Sequence, residues 1–349
     1  MLTKKDIVIL TATINRPDDL EMTIKGVVEN GNIPGKMIIL DQSKDNKTKK
    51  LVEKYAKKYK FIEYTHHKIP GKNIALNKVM DKLKKSAKYG ILCIMDDDVV
   101  LQMGYFDAVL REFNSNEHIK GVGAVELRKN FKEINYKSLK FKLNCLLFDF
   151  FKLNHKENYK FRMLGPYGNT AAPHGNTPTY KIEKDIRDCA WLPGFVSTYR
   201  FDVFKDYRLP EQIGREIIQD IDMGYYTYLK YGKGCLVIPK DAKAFHNYSE
   251  TGRFEKADKR RIFVNHEDHF TFYYRYFNNF SGTIKMAWEI FWILILMAGN
   301  AAAKPNKDNF LKLKYNLKAI KYCIKYKDKI KKGENRMFLN PDMAMRDDI

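Results

Sequence analysis

The chain has 349 residues, 44% hydrophobic and 13% aromatic, which excludes a disordered polymer and is enough to bury the core of one large or two small domains. Its 63 lysines and arginines against 42 acids give a formal charge of +21, so an anionic partner is expected: nucleic acid, an acidic membrane surface and phosphorylated small molecules all qualify. Five cysteines, Cys93, Cys145, Cys189, Cys235 and Cys323, lack pairing or metal-type spacing and read as free thiols of a reducing compartment. The opening MLTKKDIVIL has neither an apolar signal core nor a cleavage site, and the expected location is the cytoplasm.

Residues 6 to 12 (DIVILTA) predict a buried, β-branched strand. Pro17 with Asp18 and Asp19 then starts a helix that ends near Gly31. Lys36 to Asp41 (KMIILD) is a second strand ending in an acid, and Gln42, Ser43, Lys44 and Asp45 turn the chain into a lysine-rich helix through Tyr59. A third strand at Phe61 to Thr65, a helix from Gly71 to Ser86 and a fourth strand at Ile91 to Met95 continue the alternation, which predicts βαβ units and a parallel sheet.

That fourth strand runs into Asp96, Asp97 and Asp98 and then into apolar Val99 and Val100. In an open α/β sheet the C-terminal edge of the strands is where ligands bind. Three adjacent carboxylates repel one another unless a cation offsets their charge, and Asp96 and Asp98, at i and i+2 on an extended segment, point to the same side and suit one hard divalent ion, Mg²⁺ or Mn²⁺, that also holds a phosphate. The alternative is a plain acidic loop or helix cap, for which apolar flanks are an odd setting.

Tyr105 to Phe113 predicts a helix and Gly121 to Leu127 a strand. Residues 128 to 188, basic and aromatic and then rich in Gly, Pro, Asn and Thr, read as an insertion ending in a loop. Regular patterning returns at Trp191 to Phe204 and in a helix at Asp220 to Tyr231, followed by closing strands at Cys235 to Pro239 and Lys243 to Phe245, with His246 just beyond. In the C-terminal part, MAWEIFWILILMAG near residues 286 to 299 is too short to span a bilayer comfortably. Lysines from Lys304 to Lys332, interleaved with Leu, Tyr and Ile, suit a helix lying on an anionic membrane or an amphipathic helix packed on the rest of the protein.

Taken in order, TATINRPDDL, ILDQSKD, IMDDDVV, LPGFVSTYRFDVF, IIQDIDMGYYTYLKYG and FHNYS resemble the family 2 glycosyltransferases of the GT-A fold, over residues 5 to 250. The resemblance implies an α/β, Rossmann-like, mostly parallel sheet flanked by helices, with a helical C-terminal extension. It divides the chain into a catalytic domain at 1–250 (a nucleotide-sugar-binding half at 1–127, the insertion at 128–188 and an acceptor and catalytic-base half at 189–250) and a C-terminal region at 251–349. It further implies an inverting transfer from a nucleotide-diphosphosugar to an acceptor hydroxyl of a glycan, polysaccharide or lipid-linked intermediate. On this reading Asp41 contacts the nucleotide base with Ser43 in the same turn, Thr13 and Arg16 border the nucleotide, Asp96 and Asp98 match the metal and sugar-nucleotide motif with Asp98 the more direct ligand, and Asp97 and Gly194 are further cofactor-binding candidates. Asp96 and Asp98 hold the metal, with His246 either a further ligand or merely structural. The family's base is the Asp of a Glu-Asp pair; here the pair is Gln219 and Asp220, so the base falls on Asp220, with Asp222 in competition. A helix start is expected to lower the Asp220 pKa and keep it ionised. The family's Arg after the third strand is displaced, leaving Lys72 as the phosphate contact.

Two other readings use part of this pattern. A sugar-nucleotide nucleotidyltransferase would carry a Gly-rich basic loop after the first strand, which ATINRPDD lacks. A nucleic-acid-binding protein would leave the strand-end acids unexplained, and no nucleic-acid partner is expected. A zinc site at His266 to His269 (HEDH) lacks further ligands nearby, and a solvated helix face is the favoured reading of that tetrad.

Overall fold

The structure, a computed structural model, describes residues 1–68, 71–86, 89–127, 184–187, 189–211, 219–247 and 259–332. Cys145 and nearly all of the expected 128–188 insertion lie outside these residues. The chain divides into two compact units, one of Met1–Ile134, Thr170–Leu209 and Asp220–Gly252, the other of Asn135–Asn169, Pro210–Gln219 and Arg253–Ile349.

The first unit is built on β1 (Ile7–Thr13), β2 (Lys36–Asp41), β3 (Ile62–His66) and β4 (Ile91–Met95), with helices α1 (Pro17–Glu29), α2 (Lys47–Lys58) and α3 (Lys72–Ser86) as crossovers. β1 pairs in parallel with both β2 and β4. The unbroken apolar runs of these strands follow from burial on both faces. Ile7, Ile9, Met37, Ile39, Ile91 and Cys93 enter one core, and Val8, Leu10, Ile38, Leu40, Leu92 and Ile94 enter the other. Each such side chain contributes about 1.5–3 kcal/mol on burial.

With β6 (Gly121–Gly123), β8 (Val196–Arg200) and β9 (Leu236–Val237), the sheet of seven strands has the order β3-β2-β1-β4-β8-β6-β9, so consecutive connections leave β1 in opposite directions and open a crevice at the ends of β1 and β4. Among the described residues this unit also holds α4 (Tyr105–Ser115) and α5 (Gln219–Tyr231). Two departures from expectation shape the site. The segment at Gly121 to Leu127 is two strands, β6 (Gly121–Gly123) in the large sheet and β7 (Val125–Leu127) in a second sheet of order β5-β10-β7. And β8 (Val196–Arg200) runs antiparallel to β4, with Val196 opposite Met95, which returns the chain to the strand ends from the far side.

In the second unit lie α6 (Lys259–Tyr276), α7 (Phe280–Ala303), α8 (Lys307–Lys325) and the short α9 (Lys327–Lys332). None of the described helices is long and apolar enough to cross a membrane. Asn306 caps α8 by accepting from the Asn309 N–H, and the helix buries Asn316, Ala319, Ile320, Tyr322 and Cys323. The expectation of a solvated face at HEDH is overturned. Glu267 and Asp268 are buried on α6, and His266 Nε2 pairs with Asn316 Oδ1 at 2.7 Å, because α8 packs over that face. Cys93, Cys189, Cys235 and Cys323 are buried free thiols, as their spacing suggested.

Candidate active site at the strand ends

The β1–β4 register pairs Leu10 with Ile94, and three residues further on it brings Thr13 beside Asp97. The Thr13 hydroxyl donates to Asp97 Oδ2 at 2.6 Å and Arg16 Nη1 to Asp97 Oδ1 at 2.9 Å. Thr23, on α1, donates to the Asp97 carbonyl and accepts from the Val99 N–H, which pins the backbone into a turn. Here the expected extended geometry is corrected: Asp97 and Asp98 lie in a turn between β4 and β5 (Val99–Leu101). This turn sends Asp97 toward Arg16, whose Nη1 also lies 3.8 Å from Asp98 Oδ2. Burial pushes the Asp97 carboxyl up to about 7, against the opposing pull of Arg16. Asp97 therefore positions Arg16.

Asp98 meets His246 because β10 (Lys243–His246) pairs antiparallel with β5, His246 opposite Val99. His246 Nε2 lies 3.2 Å from Asp98 Oδ1, and its Nδ1 lies 3.2 Å from Glu126 Oε1, carried by the parallel neighbour β7. The ring stacks on Phe195 with centroids 5.2 Å apart. Burial opposes a charge on this imidazole, but the carboxylates of Asp98 and Glu126 outweigh it and raise the pKa to about 9. Ligand atoms of Asp96, Asp98 and His246 fall within 4.8 Å of one another. Two carboxylate oxygens and an imidazole nitrogen suit a divalent ion of the Mn²⁺ type. Lys72, the first residue of α3, donates from Nζ to Asp96 Oδ1 at 2.6 Å and supplies positive charge beside the acids.

Asp220 opens α5 and accepts the Ile221 N–H at 2.9 Å. Its carboxylate presses on Gly194, where a Cβ would stand 2.8 Å from Asp220 Oδ2, and Gly194 adjoins Phe195, whose carbonyl accepts the Asp96 N–H at 2.9 Å. The expected lowering of the Asp220 pKa is wrong in sign. Burial raises it to about 7 and exceeds the contributions of two backbone N–H groups and Lys72, while Asp96 adds to the rise. Asp222 is fully buried and accepts from the Tyr207 hydroxyl at 2.6 Å, which gives it a structural partner away from the strand ends.

Asp41 and Ser43 are brought together at the end of β2, but the Asp41 carboxylate is fully buried and receives the Ser43 N–H and the Tyr64 hydroxyl, each at 2.9 Å. The Asn15 N–H donates to the Ser43 hydroxyl at 2.8 Å, tying this corner to the loop that carries Arg16. Sequence reasoning missed Glu126, Phe195 and Thr23. For Glu126 there was one available sign, an acid inside an otherwise apolar strand.

A crevice at the β1–β4 switch is lined by strand-end acids, a histidine and two cations, and solved structures share the GT-A fold that carries it. A mannosyltransferase from Pyrobaculum calidifontis, solved with GDP-Man and Mn²⁺, superposes with a TM-score of 0.50 at 12% identity, over 92% of this chain and 87% of that one. GalNAc-T7, solved with UDP, GalNAc and Mn²⁺, gives a TM-score of 0.57 at 10% identity, over 93% of this chain and 57% of that one. No curated protein sequence matches the chain. Residues 8–175 match the family described as Glycosyl transferase family 2. Gly194, Asp220 and His246 lie beyond the matched segment.

Proposed function

We propose that the protein is an inverting glycosyltransferase that takes a sugar from a nucleotide-diphosphosugar and gives it to an acceptor hydroxyl, with Asp220 as the base. The observation that carries this reading is the convergence of the Asp96, Asp98 and His246 ligand atoms within 4.8 Å beside Lys72 and the Gly194–Asp220 contact. Asp96, Asp98 and His246 would hold a divalent metal, Mn²⁺ or Mg²⁺, which when bound neutralises charge on the leaving diphosphate. Lys72 and Arg16 add cationic charge for the phosphates, and Thr13, Asp41 and Ser43 shape the nucleotide corner. Asp220 takes the acceptor hydroxyl proton as the new C–O bond forms at the anomeric carbon and the bond to the diphosphate oxygen breaks on the opposite face, so the configuration inverts. A pKa of about 7 suits a general base at neutral pH, since it is partly ionised and still basic enough to accept a proton.

A lipid-linked or glycan acceptor at the inner face of the cytoplasmic membrane fits the surface of the second unit. On α7, Phe280, Ile284, Phe291 and Ile295 are exposed at i, i+4, i+11 and i+15, a single stripe. On α8, Phe310, Leu317 and Ile324 are exposed at every seventh residue, and exposed Lys307, Lys314 and Lys321 form a parallel row with the same spacing. Apolar stripes bordered by lysines match the interfacial depth and charge of an anionic bilayer.

The test is a thermal-shift screen of UDP-, GDP- and dTDP-sugars with and without Mn²⁺, followed by product analysis of the anomer formed. A donor that raises the melting temperature only with metal, and a product of inverted configuration, is the expected result. A retained configuration would overturn the single-displacement mechanism, and metal-independent donor binding would overturn the role of the three ligands.

A further inference from the structure

Within the second unit, α6, α7 and α8 line a half-open cavity of about 380 Å³ that the transferase chemistry does not use. Ile262, Asn265, His266, His269 and Phe270 of α6 lie on one helical face at i, i+3, i+4, i+7 and i+8, opposite Met286, Ile290 and Met297 of α7, with Lys312 and Asn316 of α8 closing the third side. Packed interiors hold few voids larger than a water molecule, whereas ligand pockets begin at roughly 300 Å³. The size is therefore that of a binding site.

We propose that this cavity binds a single-chain amphiphile with an anionic phosphate or carboxylate head. Ile262, Phe270, Met286, Ile290 and Met297 would take the hydrocarbon, and their flexible thioethers suit a chain without fixed shape. The polar side carries a cation, Lys312, and among the described residues no carboxylate lines the cavity, so a cationic head has no counter-charge and an anionic one has. The buried Oδ1 of Asn265 has no hydrogen-bond partner among the described residues and calls for a donor, such as water or a hydroxyl on the ligand. Burial, helped by neighbouring His266, lowers the His269 pKa to about 4, so its ring is neutral at pH 7 and adds no charge to this wall. His266 is committed to Asn316, which fixes that wall. The inference goes beyond the glycosyltransferase reading and does not depend on it.

Calorimetric titration of the full chain with dodecyl phosphate and with laurate, below their micelle concentrations, tests it, with dodecyl trimethylammonium as the cationic control. Saturable binding of one molecule of either anion is expected, with the cationic control at least about tenfold weaker. Ile290→Trp, which fills the cavity, should abolish binding, and Lys312→Met should weaken it by about tenfold. Phe310→Ser with Leu317→Ser, on the exposed stripe of α8, should leave it unchanged, which separates the cavity from the surface. Melting temperature is followed for every variant, and Met297→Trp replaces Ile290→Trp if the latter does not fold. Equal affinity for the cationic control, undiminished binding in a folded cavity-filling variant, or no saturable binding of either anion would each overturn the proposal.

Discussion

Gly194 and Asp220 are in contact across the crevice: a methyl group on Gly194 would stand 2.8 Å from Asp220 Oδ2, 3.0 Å from its Cγ and 3.2 Å from its Cβ. Real Cβ atoms do not approach other atoms so closely, so a side chain at 194 must move the carboxylate. Gly194→Ala should reduce turnover by about 10²-fold, the effect of roughly 1 Å misplacement of a reacting group. Donor affinity, read by titration with metal present, should hold within a few-fold. Wild-type turnover in the alanine variant would show that the carboxylate's position against Gly194 is not the one used in the reaction.

Asp220→Asn keeps the shape but cannot accept the proton, and turnover should fall by about 10² to 10⁴-fold with little change in donor affinity or melting temperature. Asp222→Asn should do the reverse. It disturbs a buried bond with the Tyr207 hydroxyl and should cost about 1–3 kcal/mol of stability while much of the activity remains. The pair is compared by transfer rate and thermal unfolding on matched preparations. A dead Asp222→Asn beside an active Asp220→Asn would exchange the two roles.

The pH profile follows from the same carboxylate. The base works when ionised, and burial raises its pKa to about 7, so kcat/KM should fall about tenfold per unit as pH drops below about 7, rather than holding down to the ordinary carboxylate range near 4. Lys72 pulls this pKa down, so Lys72→Met should move the acid limb to higher pH in addition to weakening donor binding. An acid limb that stays below pH 5 would exclude Asp220 in its buried setting as the titrating base.

Removing a metal ligand should separate metal-dependent from metal-independent binding. Asp98→Ala is expected to abolish the Mn²⁺-dependent part of donor affinity. His246→Gln should weaken Mn²⁺ by about 10-fold or more, and Glu126→Gln, which removes the negative charge behind the far ring nitrogen, should have a smaller effect in the same direction, since groups that orient a ligand tune its affinity. Calorimetry with Mn²⁺ alone, then with donor, checks each step. Unchanged Mn²⁺ affinity in Asp98→Ala would remove that residue from the metal set.

Sedimentation with vesicles tests the surface of α7 and α8. The protein should pellet with vesicles containing anionic lipid and stay in solution with neutral ones. Reversing Lys314 and Lys321 to Glu should release it, because each lysine is worth about 1 kcal/mol near such a surface. Concentration-dependent dimerisation of the wild type in place of vesicle binding would assign the stripes to a second copy of the chain.

Much of the first four strands and their acidic ends was legible in the sequence because it is local. Ile7–Thr13, Lys36–Asp41 and Ile91–Met95 are strands buried on both faces, so they read as unbroken apolar runs, and the acid that ends a run is by position at the sheet's ligand-binding edge. That reasoning placed Asp41 and Asp96 to Asp98 at strand ends without coordinates, whereas Thr13 was named only through the family resemblance. The helix at Gln219–Tyr231 was legible from its acidic first turn, but the charge state of Asp220 was not. A helix start alone predicts a lowered pKa, and only the packing around Gly194 reveals the larger cost of burial.

What tertiary structure alone decided are relations between segments far apart in the chain. Glu126 and His246 are 120 residues apart and meet because β7 and β10 pair in a small second sheet, and Lys72 reaches Asp96 because α3 begins beside the end of β4. The antiparallel run of β8, which delivers Gly194 to the acids, leaves no mark in the local pattern, since a strand buried in either direction reads the same. The HEDH tetrad carries the same lesson. Its composition predicts a solvated face, and it is buried because another helix covers it. Local propensity and periodicity specify an element and its polar end. Which element covers or pairs with it depends on register and packing, and these belong to the fold as a whole.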